Sequence, residues 1–142
     1  MSWSTKYLDI PFIKGGRDFS GLDCGGLVLL VLKEECGVAA KDFGSPYVCN
    51  WNVGKIGLNV TATCIESVID EWIIVEKPKE FDLVRFKIGR IPSHVGVMVK
   101  YPYFLHVTED LGYTKISDVR NNADWGKRFF EYRRHKALMN DK

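Results

Sequence analysis

Cys24 stands between Asp23 and the pair Gly25-Gly26, at the head of the apolar run 27–32. An aspartate in front of such a run is a helix N-cap, so the thiol is expected on a first helical turn. Unpaired N–H groups and the positive end of the helix dipole favour an anion there. The expected result is a thiol of lowered pKa, a nucleophile. Gly25 and Gly26 clear side chains from its approach and let a substrate backbone come near. A nucleophilic thiol needs a base, and the chain has three histidines. His135 lies in the basic run Arg133-Arg134-His135-Lys136 and is expected at the surface as part of a solvated tail. His94 opens the stretch "HVGVMV" and His106 closes "YFLH". If these stretches form a hairpin, their separation of 12 residues makes the two rings cross-strand neighbours. One ring would then take the cysteine proton while the other orients it, the logic of a triad. A zinc site on Cys24, His94 and His106 is the competing chemistry. The three lack any closely spaced ligand pair such as CxxC or HxxxH, so the reading calls for no metal and no cofactor.

The elements that must position these groups follow from the pattern. A helix is expected from Cys24 to the natural terminator Gly37. Its residues 27–32 leave no polar face, which makes it central and buried. Residues 38–60, rich in Gly, Pro and Asn, read as a long irregular segment holding Trp51, a candidate wall of a substrate groove. A second helix is expected behind the capping box Thr63–Glu66, with Ile65, Val68, Ile69 and Trp72 on one face. Beyond Pro78 the period becomes strand-like at 82–87, 94–100, 103–107, 113–116 and 129–133. Helices followed by an antiparallel meander define an α+β fold.

The 142 residues fit one domain with an ordinary globular composition, 46% hydrophobic and 27% charged. A net charge of +2 gives no reason to expect nucleic acid. The apolar run of six falls far short of the ~20 residues that span a bilayer, so no membrane insertion is expected. The start MSWSTKYLDIPF has no basic segment followed by an apolar one, and so reads as no signal peptide. Cys36, Cys49 and Cys64 read as structural residues, and the cysteine spacing suggests no disulfide framework. That is the pattern of a reducing compartment. Arg17 and Asp18 read as an ordinary loop ion pair, and Asn59-Val60-Thr61 as a chance match to the glycosylation acceptor.

The stretches "DFSGLDCGGLVLLVL", "EFDLVRF", "SHVGVMV" and "FLHVTED" together resemble the NlpC-type cysteine peptidases, in order and spacing as well as residue type. The resemblance covers residues 7–110. It implies a papain-like α+β fold, with a buried N-terminal helix carrying the cysteine on an antiparallel sheet. It also implies hydrolysis of amide bonds in peptidoglycan stem peptides. Carried over by position, Cys24 would be the nucleophile, His94 the base and His106 the orienting residue. Asp23 would help to hold a free amine of the substrate. Two positions depart from the pattern: Gly25 stands where a serine is common, and Phe12 where a tyrosine hydroxyl assists the oxyanion. The start "YLDIPFIKGGRDFSGLDC" looks most like the branch in bacteriophage tails. That branch implies synthesis in the host cytoplasm, incorporation in the virion tail, and other tail proteins as partners. The two departures favour a rival in which a structural tail protein keeps the fold with little activity. A second rival, an acyltransferase or amidase on lipid or small molecules, would need an apolar groove or membrane-associating segment that the sequence does not display.

Overall fold

The computed structural model describes residues 2–43, 63–121 and 123–139. A short hairpin, β1 (Arg17–Asp18) and β2 (Gly21–Leu22), leads into the first helix, α1 (Cys24–Val31). One π-helical turn, Leu32–Cys36, extends α1, and Gly37 ends it in the left-handed region at φ 67. Both ends of the helix lie where the caps in the sequence put them. Leu27, Val28, Val31 and Leu32 are wholly buried, as a helix apolar on every side must be.

Six further strands form one antiparallel sheet: β3 (Trp72–Val75), β4 (Leu83–Ile88), β5 (Ile91–Lys100), β6 (Tyr103–His106), β7 (Lys115–Asp118) and β8 (Phe129–His135). Their order across the sheet is β3-β8-β4-β5-β6-β7. The period-2 alternation sorts side chains to two faces. Val95, Val97 and Leu105 meet α1 in the main core. Phe86, Met98 and Phe104 turn to the other face, where Trp125 closes a smaller core. This is the α+β architecture expected, with a buried helix on an antiparallel sheet.

Four expectations are corrected. Among the described residues the second helix covers 63–68 and stops short of Trp72. A 3-10 turn, Ile69–Glu71, then hands the chain to β3, so Trp72 opens a strand. Its helical spacing was real, but pairing with β8 (Trp72↔His135 through Val75↔Tyr132) dictates the backbone there. For the same reason the basic run is no solvated tail. Arg133 and Arg134 lie in β8, paired with Glu131 at 2.7 Å and Asp82 at 2.7 Å. His135 is buried, its Nε2 3.2 Å from Glu71 and its ring edge-on to Trp72. The expected ion pair Arg17–Asp18 is replaced: Arg17 binds Asp23 and Asp42, while Asp18 accepts from Ser20. Finally, Cys24 and Cys36 form no disulfide, but Cys64 is disulfide-bonded. Spacing along a chain does not reveal which sulfurs the fold brings within bonding reach. Cys49, Trp51 and Asn59 lie outside the described residues. No helix among those described is long and apolar enough to cross a membrane.

Candidate active site

The cysteine is set by its neighbour. Asp23 adopts the extended conformation of an N-cap, and its Oδ1 accepts the Gly26 N–H at 2.7 Å. The same oxygen accepts from Arg17 Nη1 at 2.7 Å, while Oδ2 accepts the Gly15 N–H at 3.1 Å. Arg17 in turn reaches Asp42 through Nε and Nη2. The Asp23 carboxylate is thus wholly buried and committed on both oxygens. The carboxylate builds the helix start, a guanidinium already balances its charge, and Asp23 also lines the cleft that holds Cys24. Gly25 is likewise turned into the protein. A Cβ there would stand 3.1 Å from the buried Phe43, so that ring would have to shift by a few tenths of an ångström to admit a serine.

The histidines meet as the hairpin arithmetic predicts. β5 and β6 pair with Val97 opposite Leu105 and Met98 opposite Phe104. Continuing that register sets Gly96 across from His106, with His94 on the diagonal. His94 Nε2 lies 2.9 Å from His106 Nδ1. Gly96 makes room for this: a Cβ there would fall 2.9 Å from the Leu105 carbonyl oxygen and 3.2 Å from His106 Cβ. Two residues that sequence reasoning missed complete the group. Ser117, on β7, brings its Oγ to 2.9 Å from His106 Nε2. Trp125 stacks on His94 at 4.7 Å and stands edge-on to His106 at 4.9 Å, with the Arg128 guanidinium over its ring. The composition around Trp125, "DWGKRFF", held an aromatic and cations but no sign of which face they would cover.

Cys24 and His94 line one cleft of about 480 Å³. That volume suits a small peptide segment. Phe12 lines it too and has no hydroxyl to offer. Glu109 and Asp110 give its mouth an exposed acidic rim. Ser93, next to His94, also lines the cleft; it is 4% exposed and its hydroxyl finds no hydrogen-bond partner. A buried unsatisfied hydroxyl in a ligand-sized cleft is poised for a ligand's polar atom.

Burial decides the protonation of the pair. It pushes the Cys24 thiol up to about 12, and the Asp23 charge adds to the effect. The Val95 and Gly25 N–H groups and the Arg17 charge pull the other way, and they lose. Burial also lowers His94 to about 3, helped by the positive Arg128, and takes His106 well below its usual value. The resting site is therefore a neutral thiol beside neutral imidazoles. The lowered thiol pKa expected from the helix terminus is corrected, because desolvation of an anion outweighs the dipole at this depth. Among the described residues no group of three or more His, Cys, Asp or Glu side chains is placed to hold a metal ion.

A helix-borne cysteine against an antiparallel sheet, sharing its cleft with a paired histidine, defines a papain-like α+β protein. The chain belongs to the NlpC/P60 family: residues 9–134 match the pattern that defines it. A curated protein of Haemophilus influenzae named "Probable endopeptidase" is 29% identical over 132 residues, spanning 91% of this chain and 68% of that protein. Among solved structures, an NlpC/P60 family protein from Bacillus cereus superposes with a TM-score of 0.64 at 18% identity, over 91% of this chain but only 36% of its own length. The NlpC/p60 domain of the peptidoglycan hydrolase SagA gives 0.56 at 21% identity, over 91% and 90% of the two chains. NlpC1 from Trichomonas vaginalis gives 0.62 at 17%, over 91% and 40%. At these identities the structural likenesses establish the fold.

Proposed function

We propose that the protein is a cysteine endopeptidase that cleaves amide bonds in peptidoglycan stem peptides, with Cys24, His94 and His106 as its working groups. One observation carries the assignment: His94 shares the cleft with Cys24 and gives its other nitrogen to His106 at 2.9 Å. With Nε2 engaged, Nδ1 is the nitrogen left to act as base. The Cys24 proton passes to Nδ1 as the sulfur bonds to the substrate carbonyl carbon. The Cys24 N–H heads α1 without an intrahelical acceptor and is available to the developing oxyanion. Collapse breaks the C–N bond, and the amine leaves with the proton from His94. Water, deprotonated by the same ring, then cleaves the thioester. The peptide substrate is supported by the family and by the names of its relatives. The acidic rim of Glu109 and Asp110, with Asp23 deeper in the same cleft, suits a peptide bearing a free amine.

The setting in a bacteriophage tail is supported by the resemblance of residues 7–24 to that branch. Protein made in the host cytoplasm would enter the virion alongside other tail proteins. Peptide mass mapping of purified particles tests this, and a particle without the chain would refute it. A second reading, a structural tail protein with little or no activity, draws on the buried, high-pKa thiol and on Phe12 in place of a hydroxyl donor. Incubation with defined cell-wall peptides, followed by mass spectrometry for a new free amine, separates the two.

A further inference from the structure

His94, His106 and Ser117 form a line that runs from the cleft into the sheet. The two links are 2.9 Å each: His94 Nε2 to His106 Nδ1, and His106 Nε2 to Ser117 Oγ. The strand register produces the second link. Phe104 lies opposite Ser117 and His106 opposite Lys115, so Ser117 sits on the diagonal from His106, on the same face of the sheet. His106 is wholly buried between Phe104 and Trp125, so its ring nitrogens have little access to water.

That order constrains the hydrogens. For His94 to accept a proton on Nδ1, its neutral ring must carry its hydrogen on Nε2. That hydrogen needs an acceptor, so His106 Nδ1 must be bare. The hydrogen of His106 then lies on Nε2 and needs an acceptor of its own. The Ser117 oxygen is the partner within reach. The opposite arrangement, with hydrogen on His106 Nδ1, would either set two N–H groups against each other or turn His94 Nδ1 into a donor. The first breaks the 2.9 Å hydrogen bond between the rings, and the second leaves His94 Nδ1 without a lone pair for the thiol proton.

We propose that Ser117 is a positioning residue, whose hydroxyl accepts from His106 Nε2–H and so fixes the tautomers of both histidines, leaving His94 Nδ1 free as the base. The inference rests on the Cys24–His94–His106 reading above and extends it by one residue. A hydroxyl suits the place because it accepts a hydrogen bond without a charge. A carboxylate there would turn the buried relay into an ion pair with its own desolvation cost.

The test is the tautomeric state of the full chain labelled with 15N in histidine, in wild type, Ser117→Ala and Ser117→Thr. In wild type, His106 should show a protonated Nε2 and a bare Nδ1, and His94 the same form. Ser117→Thr keeps the acceptor and should keep the spectrum. Ser117→Ala should give averaged nitrogen shifts at His106. Its kcat on a cell-wall peptide should fall about tenfold or more with KM unchanged, short of the ~10⁴ that the wrong tautomer costs a serine triad. Wild-type His106 protonated on Nδ1, or an unchanged spectrum in a folded Ser117→Ala, would overturn the proposal. The wild-type spectrum decides even where the alanine variant fails to fold. Because tautomers are read without turnover, an inert protein with the stated tautomers would sink the enzyme reading and leave the role of Ser117 standing.

Discussion

Arg17 Nη1 lies 2.7 Å from Oδ1 of Asp23, and that carboxylate is wholly buried at the start of the cysteine helix. An acid that caps a helix and balances a guanidinium is structural first. Arg17→Ala would leave it uncompensated, at a cost of about 3 kcal/mol. Thermal unfolding should show a drop of several degrees for Arg17→Ala, with Arg17→Lys intermediate, since lysine keeps the charge but not the fork. A melting temperature unchanged in Arg17→Ala would contradict this account of the helix start.

The buried histidines predict acid sensitivity. His94 and His106 hold their protons far less readily in the folded protein than at the ordinary value of 6.5, His94 at about 3. Below pH 6.5 the unfolded chain takes up protons that the folded one refuses. Stability is therefore present above about 6.5 and is lost as pH falls toward 3. Each such histidine contributes a slope of about 1.4 kcal/mol per pH unit within its window. Denaturant midpoints should fall between pH 6.5 and 5, above the carboxylate range. The fall should be shallower in the double variant His94→Gln/His106→Gln. Equal slopes in the two proteins would refute the neutral, buried pair.

Thiol reactivity follows the same physics. Cys36 is partly exposed, whereas Cys24 is buried with its pKa pushed up to about 12. Iodoacetamide near neutral pH should label Cys36 first. The Cys24 rate should still be rising above pH 9, where a free thiol has levelled off. Labelling of Cys24 ahead of Cys36 at pH 6.5 would show an activated thiolate in the resting protein.

Phe12 borders the cleft without a donor. Phe12→Tyr adds one phenolic hydroxyl. If it reaches the oxyanion it should raise kcat with little change in KM, because the new bond forms mainly in the transition state. A change confined to KM would place the hydroxyl against the substrate's ground state.

What the sequence disclosed was local or paired by simple register. Asp23 and Gly37 marked the ends of α1, and the spacing of His94 and His106 foretold their contact, because a hairpin is fixed by its own residues. What stayed hidden came from distant chain. Ser117 and Trp125 reach the histidines only through β7 and the turn that precedes β8, and Trp72 looked helical until pairing with β8 claimed it. The protonation of Cys24 was misjudged for a related reason. A helix start can be read from neighbours in sequence, but depth of burial depends on everything packed around it.

Turnover in Cys24→Ser separates the proposed nucleophile from a buried structural thiol. That variant changes one atom, so its melting temperature should match wild type within a degree or two. A bare imidazole activates a serine hydroxyl poorly at this site. Wild type incubated with defined peptidoglycan stem peptides should release one new free amine, seen by mass spectrometry, and folded Cys24→Ser should release it slower by several orders of magnitude. Equal release by the two proteins, or none from wild type across a broad panel of stem peptides, would mean that Cys24 is not the nucleophile.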